Sequence, residues 1–578
     1  MKQRAKPKQA VLPDLKNKNN FLSTIINPCI LITFFCLCFL LYKNISYPLL
    51  FNDEAETVMT GQQIIKYGYP KVHDEKNMVF IPDNPQWLGY KKSIDANVSI
   101  PWGNYYFATI GVGLAKFSDD IYRKTALVRI PFATAGLIGL LIFVFAFRDY
   151  FENANHFKIF LLVFLFLELF SVNLFLHLRE ARYYSLVVFS SALYFFILVN
   201  RLGLKALSEK KYVFLMSVVL FLSYQMNFIT YVVMCLTLIL YGTYSFLRNK
   251  VPIADRIKRT LYTIIPVGIS AILVFPFLLY FETFDIAKKA SEHYKFTADL
   301  FWKHITDITN ALFKHEIFYS LIILLMVLIG FYFFIRKNKN KGTPFEARLE
   351  NVLVLMSIFF VLYIIMVARI PFVWMRYFVV LQPLMVILIL ISAFLLFEYI
   401  RNSISSQNQK RYNSVFFVVL VLIGWYGFNK KEGHLGDYYY QLTHQYKGPL
   451  DEYIPYIMTK YSETDTLVLA TNYEELSYMY YLNCKVILGY NYGFRTLTED
   501  SLKRYDPDIL IFRKKWGQDP RAYNYYIQQG KFERTSFPTV DWPVNNIADL
   551  EFFVKHQFKT LTTNDEKEKA DIFLKVKK

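Results

Sequence analysis

The feature that most constrains this chain is a succession of apolar runs, most about 20 residues long, separated by short loops rich in lysine and arginine. The runs fall near 21–42, 125–147, 157–176, 183–200, 227–247, 260–281, 316–335, 350–368, 374–398 and 413–428. A shorter run at 211–223 pairs with the one at 227. A helix needs roughly 20 residues to cross about 30 Å of hydrocarbon, so the pattern predicts about 11 spans. Of 578 residues, 54% are hydrophobic and 18% aromatic, which is too apolar for a soluble chain and too long for one domain. The expected fold class is mainly α, a polytopic transmembrane helical bundle.

Charge orients the bundle. A formal net charge of +19 would suggest nucleic acid in a soluble protein, but here the cations sit in loops between apolar runs, as orientation signals do. The segment 104–117 is apolar yet short for a span. If it does not cross, the loops holding Arg201 to Lys211, Arg248 to Arg259, Arg336 to Arg348 and Arg401 to Arg411 share the side of the basic N-terminus. That satisfies the positive-inside rule throughout, so 104–117 is read as an interfacial helix. The division is then a basic cytoplasmic N-terminus (1–20), a transmembrane domain (21–428) with a first outer loop at 43–124, and an extracytoplasmic domain (429–578). Short strand-like runs at Thr466–Asn472, Lys485–Gly489 and Asp508–Phe512 make that last part a small α/β domain. The cysteines, three of them (Cys29, Cys36, Cys38) in the first run, give neither a disulfide framework nor zinc spacing.

Three stretches on the expected outer side could carry chemistry. Asp53-Glu54 follows the first span, with Glu56 nearby. Adjacent carboxylates at a low-dielectric surface repel, which raises a pKa unless a cation compensates, and such a group can serve as a general base. Glu56 reads as simply solvated. The turn Arg179-Glu180-Ala181-Arg182-Tyr183 puts two arginines against the positive-inside trend, where their forks suit a lipid phosphate; the alternative is a turn closed by a Glu180–arginine pair. The turn Arg369 to Arg376-Tyr377 repeats the theme, with headgroup anchoring by Trp374 and Arg376 as its alternative. Glu168 is the one acid well inside an expected span.

In that order the markers resemble the GT-C class of integral-membrane glycosyltransferases, in the branch of protein O-mannosyltransferases and the lipid A aminoarabinose transferase. They are Asp53-Glu54 with Gly68-Tyr69-Pro70, the stretch Pro101 to Tyr106, Arg129-Ile130-Pro131, Arg179 to Tyr183, and Arg376-Tyr377 leading to Pro383. Ser99-Ile100-Pro101-Trp102 departs from the family's His-Pro-Pro. The resemblance implies transfer of a sugar from a polyprenyl-phosphate carrier to a lipid, glycan or protein acceptor at the outer face of the membrane. The Lys, Asn, Ile, Phe and Tyr bias, with no outer disulfide, points to a bacterial inner membrane. By the same resemblance Asp53, modulated by Glu54, would stand at the reacting centre and take the acceptor's proton, giving inversion by direct displacement, and Arg179, Glu180, Arg182, Tyr183, Arg376 and Tyr377 would bind donor and phosphate. No cofactor is required by this reading. A divalent cation stays open, with Asp53, Glu54 and Glu180 as its acidic ligands. A lipid transporter or flippase is the alternative, and would call for broken helices and several midplane charges.

Overall fold

A computed structural model describes residues 16–77, 89–151, 154–203, 207–248, 251–285, 288, 297–315, 328–330, 332, 344–370, 373–403, 434–445, 447–487, 505–514, 521–529, 531–541 and 559–576. The chain begins with helix α1 (Lys16–Tyr42), followed by α2 (Asn52–Tyr67), a two-stranded ribbon β1 (Tyr90–Lys91) and β2 (Ala96–Asn97), and α3 (Gly103–Ala115). A bundle follows: α4 (Ile121–Phe145), α5 (Ala154–Glu168), α6 (Val172–Leu178), α7 (Tyr184–Leu202), α8 (Glu209–Met226), α9 (Phe228–Arg248) and α10 (Ile253–Tyr280). It continues through α11 (Ala298–His315), α12 (Pro344–Val367) and α13 (Leu381–Ser403).

The protein is an integral membrane protein. Among the described residues, five helices are long and apolar enough to cross a membrane, within 121–150, 184–202, 228–248, 253–280 and 348–367. Helix α10 shows why lipid is the right solvent. Its Ile257, Leu261, Ile265, Ile272 and Phe275 are all exposed, a row of large apolar side chains that water would not tolerate and hydrocarbon does.

Three expected spans differ in detail. The run at 157–176 is not one helix: α5 stops at Glu168 and α6 restarts at Val172, which leaves fully buried Glu168 at a helix end. The short run at 211–223 grows into the 18-residue α8, because polar Glu209 to Lys211 extend it at one end. The run at 374–398 opens with a 3-10 turn, Met375–Phe378, before α13 begins at Leu381. The run at 413–428 and most of 316–335 lie outside the described residues.

Close helix approach in the first half depends on glycines, Gly111 and Gly139 among them. A Cβ on Gly111 would stand 2.7 Å from the Val128 carbonyl oxygen, and one on Gly139 would stand 2.9 Å from Phe189 Cα. Small residues at such crossings replace the hydrophobic driving force that lipid removes. They bring α3 and α7 against α4, which carries Arg129.

Side-chain contacts tie the connecting segments at the two ends of the bundle. Arg179 Nη2 donates to Lys43 O at 2.7 Å, and Lys91 pairs with Glu282 at 3.2 Å. At the other end Arg248 pairs with Glu350 at 3.2 Å and Arg201 with Glu209 at 3.9 Å.

The C-terminal part contains α14 (His434–Thr443), α15 (Pro449–Lys460), α16 (Glu475–Leu482) and α17 (Arg521–Gln528) around a five-stranded sheet. Its strands are β3 (Val468–Thr471), β4 (Lys485–Ile487), β5 (Ile509–Ile511), β6 (Phe532–Val540) and β7 (Lys569–Lys575), in the order β4-β3-β5-β7-β6. The first three are parallel, and β7 runs antiparallel to both of its neighbours. This domain is not tethered loosely. One apolar core runs from Leu49, Leu50 and Val58 through Val128 into Tyr453, Tyr478 and Ile509. Each large apolar side chain buried there contributes about 1.5–3 kcal/mol, so the domain and the first loop hold each other.

Candidate active site

Helix α2 starts at the bundle end where the domain docks, and Asp53 and Glu54 occupy its first turn. Carboxylates there favour the helix dipole. Glu54 is fixed first. Its Oε1 accepts from Arg129 Nε at 2.8 Å and from Ala181 N at 2.8 Å, and its Oε2 accepts from Arg129 Nη2 at 2.5 Å. Arg129 Nη1 donates to the carbonyls of Ile45 (2.9 Å) and Pro48 (2.8 Å), so one buried guanidinium ties α4 to the chain entering α2. Through Ala181, Glu54 also holds the arginine turn.

That arrangement leaves Asp53 facing the turn's cations. Asp53 Oδ2 lies 2.8 Å from Arg182 Nη1 and 3.4 Å from Arg376 Nη2, and its side chain is 31% exposed. Burial pushes the Asp53 carboxyl up, but the two guanidiniums more than offset it and hold it below the usual carboxylate range. Arg182 lies over the rings of Tyr183 (5.5 Å) and Tyr184 (5.8 Å), and Arg376 over Trp374 (5.1 Å). The cations are not used up by Asp53. Arg182 Nε and Arg376 Nε and Nη1 are buried and meet no acceptor among the described residues. Beside them opens a cavity of about 140 Å³ lined by Tyr183, Tyr184, Asn227, Tyr363, Arg376 and Tyr377 among others.

Glu56 is not simply solvated. It sits one turn along α2 from Asp53, half-buried, and its Oε1 accepts from Tyr105 Oη at 2.9 Å. Tyr105 comes from α3 and itself accepts from Asn97 Nδ2 at 3.2 Å. Burial pushes Glu56 up; Arg182 opposes that, Asp53 adds to it, the Tyr105 bond opposes it, and Glu475 adds to it. The net direction is upward. Glu475 belongs to the C-terminal domain. The junction between β3 and α16 therefore closes on the same region, held by Ser477 Oγ donating to Leu50 O at 2.8 Å and Tyr481 Oη accepting from Leu50 N at 3.0 Å.

The structure thus brings Asp53, Arg182, Tyr183, Arg376 and Tyr377 together and sets the other candidates apart. Arg179 donates to Leu442 O (3.3 Å) and Lys43 O, joining α14 to the end of α1. Glu180 is fully buried, 3.0 Å from His177 Nδ1, and burial followed by the Glu54 charge pushes it well up. A divalent cation finds no ready ligand set here. Asp53 is engaged by arginines and Glu54 by Arg129, and among the described residues no group of three or more His, Cys, Asp or Glu is placed to hold a metal ion. Of the other polar residues in the 43–124 segment that could contact substrate, His73 pairs with Asp95 at 2.5 Å, while Asp83 and Trp87 lie outside the described residues. The contributions of Tyr105 and of Glu475 were not assigned from sequence. For Glu56, its spacing of three from Asp53 on a helix was the available signal.

No protein-family model matches the chain, and no curated protein sequence matches it. Among solved structures it is similar to the crystal structure of ArnT from Cupriavidus metallidurans bound to undecaprenyl phosphate. The identity is 10%, the coverage 97% of this chain and 98% of that one, and the TM-score 0.46. A likeness at that level says nothing about the chemistry of the site.

Proposed function

We propose that this protein is a membrane glycosyltransferase that moves a sugar from a polyprenyl-phosphate donor to a lipid, glycan or protein acceptor at the outer face of the membrane. The observation that carries this reading is the set of buried guanidinium donors on Arg182 and Arg376 without an acceptor among the described residues, with Arg376 lining a cavity that Tyr183, Tyr184, Tyr363 and Tyr377 share. A buried charged donor left unpaired costs free energy that a bound anion recovers. A phosphate monoester or diester presents several acceptor oxygens to such forks, and a lipid carrier delivers it at the depth of these residues.

The chemistry follows from the charges. As the bond between the anomeric carbon and the phosphate oxygen breaks, its electron pair leaves with the phosphate, and the growing negative charge is what Arg182 and Arg376 stabilise most. The acceptor oxygen bonds to the anomeric carbon from the opposite face, which inverts the centre, and gives up its proton. Asp53 accepts a hydrogen bond from the attacking hydroxyl and aims it. Glu54, with both oxygens occupied, is a positioning residue that sets the start of α2.

The test is release of undecaprenyl phosphate by purified protein supplied with a panel of undecaprenyl-phosphate pentoses and hexoses. At least one donor is expected to turn over, and Arg376→Ala is expected to slow it by about 100-fold, as for loss of an anion-stabilising donor. Consumption of no donor, or wild-type turnover by Arg376→Ala, would overturn the assignment.

A further inference from the structure

Glycosyl transfer to a hydroxyl needs a destination for one proton, and the site holds two carboxylates in opposite circumstances. Asp53 shares two guanidiniums, so its anion is stabilised and its affinity for a proton is low. Glu56 makes no ion pair among the described residues and has a single side-chain hydrogen bond, from Tyr105, on one oxygen. It lies on the same face of α2, one turn along from Asp53, and bonds to Tyr105 of the neighbouring α3. We propose that Glu56 is a further catalytic residue, the group that receives the proton of the acceptor hydroxyl while Asp53 stays an anion that aims the attack. The proposal rests on the glycosyltransferase reading above.

The step balances. The acceptor oxygen forms its bond to the anomeric carbon, the carbon–oxygen bond to phosphate breaks with its electron pair going to phosphate, and the hydroxyl proton passes to a Glu56 oxygen. Tyr105 keeps its hydrogen bond to Oε1 through the step and holds the carboxylate in one orientation. The groups acting on Glu56 come from every element around it. Arg182 lowers its proton affinity from the arginine turn and Tyr105 from α3, while Asp53 raises it from α2 and Glu475 from the C-terminal domain. Burial is the largest influence and raises it, so the carboxyl is pushed above its ordinary value, the direction that favours a general base. Two carboxylates whose surroundings push them apart divide the labour in this way.

The discriminating substitution is Glu56→Gln, which keeps an oxygen for Tyr105 and removes the proton-accepting charge. Wild type and variant are compared in proteoliposomes of the host's membrane lipids, whose hydroxyls serve as acceptors, with undecaprenyl-phosphate pentoses and hexoses as donors. Glu56→Gln is expected to lose about 100-fold or more in turnover and to lose the acid limb of its pH profile, as removal of a general base does. Binding of undecaprenyl phosphate is expected to stay within threefold of wild type, roughly the limit for an interaction with no bidentate contact to phosphate. Sodium azide, an anionic nucleophile with no proton to give, is expected to restore donor consumption in Glu56→Gln but not in Asp53→Asn. Wild-type turnover and acid limb in Glu56→Gln, or intact phosphate binding without azide rescue, would overturn the role of Glu56 alone. Failure of wild type to consume any donor would overturn the parent reading and this one with it.

Discussion

Glu54 and Arg129 meet fork to fork, at 2.8 Å and 2.5 Å, with both side chains almost wholly out of solvent. Buried ion pairs of this kind repay desolvation only when their remaining groups are also satisfied. Here they are, through Ala181 N and the carbonyls of Ile45 and Pro48. The pair therefore acts as a bracket that fixes Asp53 relative to the arginine turn.

Breaking that bracket from one side should be costly. Arg129→Met leaves a buried carboxylate unpaired and is expected to lower stability by about 3–5 kcal/mol. The double variant Glu54→Leu with Arg129→Met should regain part of this, because no charge remains buried, yet turnover should stay low because Ala181 and the 45–48 chain lose their anchor. Thermal melting in detergent and donor turnover check the two halves separately. Equal melting temperatures for wild type and Arg129→Met would contradict the bracket.

Asp53 and a donor phosphate want the same guanidiniums. Removing the arginine charge should weaken binding of undecaprenyl phosphate, by about tenfold or more for Arg182→Ala, as expected for loss of a charge-assisted hydrogen bond. Asp53→Asn should do the reverse and tighten lipid phosphate binding while abolishing most turnover, because the competing anion is gone. Titration of the lipid phosphate against each variant measures both signs. Weaker binding in Asp53→Asn would mean that the carboxylate supports the phosphate rather than competing with it.

How much of this was legible beforehand follows from the kind of pattern each residue belongs to. The apolar runs and their basic loops are periodic and local, so the helical bundle could be read from them, as could the strands near Val468, Lys485 and Ile509. Asp53, Arg182 and Arg376 could be named as charges that oppose their surroundings, although their meeting spans more than 300 positions of sequence. Arg129 could be marked but not paired, since nothing local says that it reaches Glu54 rather than Asp53. The breaks at 169–171 and 379–380 were hidden because hydropathy does not change where a helix ends inside apolar surroundings. Glu56 reads as solvated from sequence because its bonding partner Tyr105 lies on α3 and the charge of Glu475 that acts on it lies more than 400 residues away.

Asp451 gives the docked domain a pH dependence. Its carboxylate accepts from Gly448 N at 2.8 Å and Leu49 N at 3.3 Å, and burial, opposed by these bonds, pushes it up to about 7. The folded state then holds a proton that the unfolded chain has released, so stability from this group is full below about pH 4, falls as pH rises, and levels off above about pH 7. Asp451→Asn should flatten that slope while lowering stability at pH 5, since the amide keeps only one acceptor for the two backbone donors. Melting curves at pH 5 and pH 8 measure it. An unchanged slope in the variant would assign the dependence to another group.

Tyr481 should prove the most sensitive point of the junction between the domain and the site. Its hydroxyl accepts from Leu50 N at 3.0 Å and lies 2.5 Å from Thr125 Oγ1, so one phenol joins α16, the approach to α2 and the start of α4. Tyr481→Phe changes almost no volume but leaves the Leu50 N–H buried and unpaired, which costs about 1–3 kcal/mol. Leu50 precedes Asp53 by three residues, and the same α16 presents Glu475 towards Glu56. The loss should therefore appear in function as well as stability: faster proteolysis of the 434–576 region, and a fall in turnover larger than any change in affinity for undecaprenyl phosphate, because the arginines keep their places. Proteolysis as slow as in wild type together with full turnover would show that the shared apolar core of Leu49, Leu50, Tyr453 and Tyr478 holds the domain without the phenol.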